Sequence, residues 1–193
     1  MRTFIAIKLP LNIKNTLAKI QNELGSTLSK INWVNLINLH LSLKFLGDIS
    51  AQQLAGIQKM IAQIAKTSEP FEIKLETLGV FSEYRQVRII WIGTNQPPLK
   101  LKELVDRLEK KSHELKIPKE KRPFQTHITL GRIKHPLPAA NLEKSLDRLK
   151  NVITEMNLKF ACRGITLFLS TLEPNGPTYT VLKEAAFEGF IRK

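Results

Sequence analysis

Cysteine is almost missing from this chain: Cys162 is the one copy in 193 residues. A single thiol closes no disulfide within the chain and builds no cysteine-rich zinc site, which excludes stapled scaffolds and zinc ribbons. Cys162 is read as a small core residue on a strand. Long apolar runs are missing as well. No stretch approaches the ~18 consecutive apolar residues of a membrane-spanning helix. The opening segment MRTFIAIKLP is broken early by Lys8 and Pro10, and no small-residue cleavage site follows. It reads as a buried first strand rather than a signal peptide. Without a targeting signal, the cytoplasm is the expected location.

Acidic residues are scarce. Seventeen Asp and Glu face thirty Lys and Arg, for a net charge of +13. Such an excess favours polyanions, above all nucleic acid. A basic surface with no cognate polyanion is the competing explanation, and charge alone does not separate the two. No block of five or more like charges marks a disordered basic tail. With 42% hydrophobic and 24% charged residues the composition is that of an ordinary globular protein. The length suits one domain, or two closely fused lobes.

The pattern of elements repeats. Arg2–Leu9 alternates like a strand. Leu11 to Leu28 carries apolar residues at helical spacing, with Gly25 near its end. Leu39–Leu46 is a second strand, followed by a turn at Gly47-Asp48. Ser50 is a candidate N-cap for a helix to about Lys66. A third strand spans about Phe71–Leu78. The second half runs in the same order: a strand at Val87–Gly93, a helix through Leu101 to Leu115, and a strand at Thr126–Ile133. A helix at Leu142 to Val152 and a strand at Phe160–Ser170 follow. A turn at Glu173-Pro174-Asn175-Gly176-Pro177 then leads to a closing strand, Thr178–Lys183. A repeated unit of this kind predicts two similar lobes, with halves of about 1–80 and 85–193, facing each other across a cleft within a single domain. The expected fold class is α+β, with antiparallel sheets lining the cleft and helices packed outside.

The chain has four histidines, at 40, 113, 127 and 135. Two stand in matched strings, Leu39-His40-Leu41-Ser42-Leu43 and Thr126-His127-Ile128-Thr129-Leu130, each on the second strand of its half. Residues two apart on a strand share a face. His40 therefore projects with Ser42, and His127 with Thr129, while Leu41, Leu43, Ile128 and Leu130 point into a core. A pseudo-two-fold would bring both pairs into the cleft. Two imidazoles suit acid–base work, because a ring titrating near neutral pH serves in either protonation state. The two hydroxyls can donate to phosphate oxygens. Lys44, expected on the His40 face, and Arg132 can offset phosphate charge. Strict alternation points Arg132 away from His127, and Gly131 offers a place for a bulge that re-aims it. Two histidines with no carboxylate beside them make a poor zinc site, so no metal and no cofactor are expected. His113 is read as solvated on a charged helix and His135 as a loop residue.

At these residues the sequence resembles the 2H phosphoesterases, most closely their RNA 2′,3′-cyclic phosphodiesterase branch, historically called 2′-5′ RNA ligases. The resemblance runs from Arg2-Thr3-Phe4-Ile5-Ala6-Ile7 through Trp33, His40 to Asp48, Pro70-Phe71 and Gly79-Val80-Phe81. It continues through Arg88-Ile89-Ile90-Trp91, Phe124 and His127 to Arg132, up to the turn before Tyr179. Ser42 stands where the family usually has Thr, which keeps the hydroxyl. Thr126 stands where relatives commonly have Pro, which alters strand entry. The resemblance implies opening of a cyclic phosphate to a 2′-phosphomonoester without a metal, with His40 as proton donor and His127 as acceptor. The expected partner is an RNA 3′ end bearing the cyclic phosphate, handled by a monomer. Tyr179 is a candidate substrate contact. Phe45 is a weaker one, since it shares the leucine face and is expected in the core. Joining of RNA ends through a 2′-5′ linkage at the same site, or RNA binding without catalysis, are the alternatives.

Overall fold

The computed structural model describes residues 1–28, 30–83, 86–133, 139–174 and 176–189. In chain order the elements are β1 (Arg2–Lys8), α1 (Leu11–Gly25), β2 (Ile31–Trp33), a 3-10 turn (Leu36–Asn38), β3 (His40–Asp48) and α2 (Ala51–Lys66). Then come β4 (Phe71–Leu75), β5 (Thr77–Glu83), β6 (Gln86–Gly93), α3 (Leu99–Glu114), β7 (His127–Ile133) and α4 (Ala139–Met156). The chain ends with β8 (Leu158–Cys162), β9 (Gly164–Glu173) and β10 (Gly176–Ala186). Ser50 caps α2 in a full capping box: its hydroxyl accepts the Gln53 N–H, and the Gln53 side chain accepts the Ser50 N–H.

The architecture is α+β, as expected. One sheet has the order β10-β9-β1-β3, the other β2-β7-β6-β5, and β4 and β8 form a separate ribbon. The lobes are not the two sequence halves, which is a correction to the simple repeat. The single strands expected near residues 71–78 and 160–170 are each two strands. The first member of each pair joins the small ribbon, and the second crosses into the opposite sheet. β5 thus pairs with β6, and β9 pairs with β1. The helices interleave in the same way: α3, from the second half, packs on β3, and α1, from the first, packs on β7. One apolar cluster runs through both lobes, from Ile5 and Ile7 through Ile128, Leu130 and Ile133 to Leu167. Neither lobe can close its core without strands and helices from both halves.

Each histidine strand carries a β-bulge at the same place. On β3, Ser42 faces Ala6 and Lys44 faces Ile5, which leaves Leu43 as the extra residue. On β7, Thr129 faces Trp91 and Gly131 faces Ile90, which leaves Leu130. A bulge slips the two-residue alternation by one. Beyond it, positions 44 and 131 turn into the core, and positions 45 and 132 turn out with the histidines. The free carbonyl of Leu130 is taken up by the buried Gln21 side chain and by the Val34 N–H.

Candidate active site

His40 and His127 open their strands at the contact between the two sheets, β3 against β7. Each ring is oriented by the carbonyl two residues before it: His40 Nδ1 lies 2.7 Å from Asn38 O, and His127 Nδ1 lies 2.9 Å from Gln125 O. A carbonyl only accepts, so Nδ1 carries the proton in both neutral rings, and each Nε2 presents a lone pair. His40 Nε2 is 3.0 Å from Ser42 Oγ, which donates to it. Among the described residues His127 Nε2 has no hydrogen-bond partner, so its lone pair is open to the cleft. Two closely matched strings therefore produce unequal groups, one engaged and one free.

Burial pushes the His40 imidazole down to about 4, opposed by the Asn38 hydrogen bond and reinforced by the charges of Lys14, His127 and Arg132. His127 is also held below its ordinary value, first by burial and then by Arg132, against the Gln125 bond. The charge of Arg132 thus acts on both imidazoles, and that of His127 on His40. Aromatic rings wall the imidazoles. Phe4 and Tyr179 stand 4.8 and 5.2 Å from the His40 ring, Tyr179 edge-on at 88°. Phe81 stands 4.9 Å from His127, also edge-on. Tyr179 is raised above its ordinary value by burial, against the opposing pull of Arg132 and Arg2.

Of the expected site residues, the structure brings together His40, Ser42, His127, Arg132 and Tyr179. Thr129 lies two residues from His127 on the same strand face, ahead of the bulge. Arg132 reaches the cleft because Leu130 bulges, one residue before the glycine expected to do it. A Cβ on Gly131 would meet Ile31 Cγ2 at 2.6 Å, so glycine there admits β2.

Two expectations are corrected. Lys44 is not on the His40 face. The bulge at Leu43 turns it inward, where it is 2% exposed and its Nζ donates to Glu109 Oε2 at 3.0 Å and Pro118 O at 2.8 Å. A lysine so engaged leaves no charge for a phosphate. Phe45 takes the place expected for Lys44. It is 55% exposed, on the cleft side beside Phe4, rather than in the core.

Three residues were missed from sequence. Phe4 and Phe81 enclose the imidazoles, and Gln21 carries the Leu130 bulge. Gln21 and Glu109 occupy matching positions, each eleven residues after the proline that opens its helix, Pro10 and Pro98. Aligning the halves on those prolines would have found them as a polar pair inside otherwise apolar helix faces. His113 is exposed, as expected, and His135 lies outside the described residues. Cys162 is buried on β8, and burial raises its thiol to about 12. Among the described residues no three His, Cys, Asp or Glu side chains gather as a metal-binding cluster, and no helix is long and apolar enough to cross a membrane.

These features define a class: a bilobal α+β protein that presents one histidine–hydroxyl pair from each sheet to a shared basic cleft. The model of the LigT-like phosphoesterases matches the chain twice in succession, over residues 7–91 and 92–179, and the chain belongs to that family. It is 35% identical to an RNA 2′,3′-cyclic phosphodiesterase of Methanocaldococcus jannaschii, across 95% of this chain and 99% of the relative. It is 30% identical to one of Methanothermobacter thermautotrophicus, across 93% and 95%. Among solved structures, a Thermus thermophilus protein superimposes with a TM-score of 0.82 at 26% identity, covering 98% and 99% of the two chains. Escherichia coli LigT complexed with 3′-AMP superimposes with 0.75 at 27% identity, covering 96% and 97%.

Proposed function

We propose that this protein hydrolyses the 2′,3′-cyclic phosphate at an RNA 3′ end to a 2′-phosphomonoester, without a metal, acting as a cytoplasmic monomer. The observation that carries this reading is the pair of Nε2 atoms turned toward one cleft, one of them free to accept a proton. In this reading His127 Nε2 takes a proton from water as its oxygen attacks phosphorus. The P–O3′ bond breaks, and His40 Nε2–H delivers a proton to the departing O3′. One water is added, and the next turnover needs only the return of a proton from His127 to His40 through solvent. Both proton transfers are assigned to imidazoles, so no step calls for a metal. The names of the relatives and the 3′-AMP held by LigT support a nucleotide substrate. Incubation with a 2′,3′-cyclic mononucleotide tests the reading: a phosphomonoester is the expected product. An unchanged cyclic phosphate would leave a binding protein instead.

In this mechanism protonation of His40 fills the Nε2 lone pair that accepted from Ser42 Oγ, so the hydroxyl hydrogen is released to a non-bridging phosphate oxygen and the Nε2–H is left for O3′. Thr129 offers its own hydroxyl to a phosphate oxygen from β7, and Arg132 offsets the charge that grows in the transition state. Ser42→Ala and Thr129→Ala should each cost about 1.5–3 kcal/mol in kcat/KM, the range for a charge-assisted hydrogen bond. Ser42→Thr should be mild. Unchanged kinetics for Ser42→Ala would remove it from the phosphate site.

The pH dependence follows from the direction of the shifts. In the free protein His40 is neutral above about pH 4. A bound phosphodiester anion favours the imidazolium and raises that value. Loss of the His40 proton sets the alkaline limb of the rate profile. The limb in kcat/KM, which reports the free enzyme, should therefore lie at lower pH than the limb in kcat, which reports the complex. Coincident limbs would show that the bound phosphate does not act on His40.

Tyr179 and the exposed Phe45 offer aromatic surface for the terminal nucleotide. Upstream phosphates would follow the basic surface. Oligonucleotide binding should weaken with salt on a log–log line, by about 0.7 per phosphate neutralised on a single strand. Hydrolysis of a cyclic mononucleotide should respond much less. Equal responses would assign the +13 charge to solubility alone.

A further inference from the structure

Asn38, the last residue of the 3-10 turn ahead of β3, has two partners that belong to different parts of the site. Its carbonyl accepts the Nδ1–H of His40 at 2.7 Å. Its side-chain Nδ2 donates to Pro177 O at 2.8 Å, across 139 residues of sequence. The turn itself is held by Asn35 Oδ1, which accepts the Ile37 N–H, and by Lys14 Nζ, which donates to Ile37 O. Pro177 is the second residue of β10, so the long-range bond ties the β9–β10 hairpin to the turn that orients His40.

The register shows what that bond holds. Tyr179 lies opposite Ser170, one row beyond the Thr3–Leu169 pair, and so past the Thr3 end of β1. His40 lies opposite Lys8, at the other end of β1. In a flat sheet these side chains would stand far apart, yet their rings are 5.2 Å from each other. The free end of the hairpin therefore curls over the cleft face, and its tip is joined to the His40 turn by Asn38. Phe4 stands beside both rings, 4.8 Å from His40 and 5.0 Å from Tyr179, so the three form one cluster. His127 is walled instead by Phe81 of the β5–β6 hairpin at 4.9 Å, and the Gln125 carbonyl that orients it lies on an exposed residue.

We propose that Asn38 is a positioning residue of the reaction: its side-chain amide latches the β9–β10 hairpin, and with it Tyr179, over the His40 ring that its own carbonyl orients. The inference rests on the assignment of His40 as the acid. The latch sets how dry His40 is, and so how readily it holds and releases its proton. The charged and titratable groups facing the ring are Lys14 from α1, His127 and Arg132 from β7, and Tyr179 from β10. Asn38→Ala replaces none of these groups, so a change in His40 reports the latch.

The test is Asn38→Ala, Tyr179→Ala and the double variant, with two readouts: titration of the His40 and His127 ring signals by NMR, and kcat and KM on a 2′,3′-cyclic mononucleotide. Release of the hairpin admits water to the ring. The His40 midpoint in Asn38→Ala should then rise by about one unit from its wild-type value toward the solvated histidine value, with His127 nearly unmoved. The alkaline limb of kcat/KM should move to higher pH with that midpoint, while kcat on its pH plateau falls roughly tenfold with little change in KM because the ring is no longer held in place. The double variant should be no worse than Tyr179→Ala, since both changes remove one wall. An unmoved His40 midpoint, or fully additive losses, would overturn the proposal. Tyr179→Ala reaches the same ring by a second route should Asn38→Ala fail to fold, and there too an unmoved midpoint would count against the latch. The NMR arm contains no substrate. If wild-type protein left cyclic phosphates intact while the His40 signal still shifted in Asn38→Ala, the reaction would fall and the latch would stand.

Discussion

His40→Ala and His127→Ala should each lower turnover of a 2′,3′-cyclic phosphate by at least about 100-fold while the protein stays folded, since a positioned acid or base contributes roughly 10²–10⁴-fold. The two losses differ in kind. His40→Ala removes the alkaline limb of the pH–rate profile, because that limb is the loss of the His40 proton. His127→Ala removes the acid limb, where the base becomes protonated. The double variant should be little worse than either single one, as expected for groups that act on the same transition state. Thermal melting and circular dichroism separate a lost site from a lost fold. Near-wild-type turnover in either folded variant would sink the two-histidine mechanism.

Glu109→Ala should destabilise the protein by about 3–5 kcal/mol, the usual cost of stranding one member of a buried ion pair. The Lys44 side chain is 1% exposed and its Nζ is 2.9 Å from Glu109 Oε1. Without the carboxylate, the buried ammonium keeps, among the described residues, only the Pro118 carbonyl as a partner and has no opposite charge beside it. Lys44→Met is the contrasting change. It keeps the volume and leaves Glu109, 21% exposed, able to meet water. Its stability loss should be smaller, and its kcat/KM should stay within a few-fold of wild type. Urea unfolding gives the stability difference and steady-state assays the rate. A kcat/KM loss of a hundredfold or more in folded Lys44→Met would restore Lys44 to the phosphate site.

The histidine strings were legible in the sequence because a strand's two-residue period is written directly in its apolar alternation. His40 with Ser42 and His127 with Thr129 needed nothing more. Where the period slips, the sequence misleads. Lys44 and Phe45 exchange faces because Leu43 is a bulge, and a bulged leucine looks like any other core leucine in a string of them. The second half carried a visible clue, Gly131, since a glycine inside a strand marks an irregularity. The first half has Lys44 at the matching place and gave no warning. The interleaving of β5 and β9 was also hidden, because pairing between distant strands leaves no local mark. The break at Glu76 leaves a trace only in the structure, where its N–H bonds the Gly93 carbonyl. The hairpin's reach to Asn38 belongs to the same class: it depends on sheet curvature, not on composition.

The central claim is that two imidazoles alone open an RNA cyclic phosphate. It is tested most directly by following an oligonucleotide with a 2′,3′-cyclic terminus by phosphorus NMR, with the purified protein in excess EDTA. The account predicts that the cyclic resonance gives way to a single 2′-phosphomonoester at an undiminished rate, and that His127→Ala protein leaves it intact. A cyclic resonance that persists until a divalent metal is restored, or that gives a 3′-phosphomonoester, would contradict it.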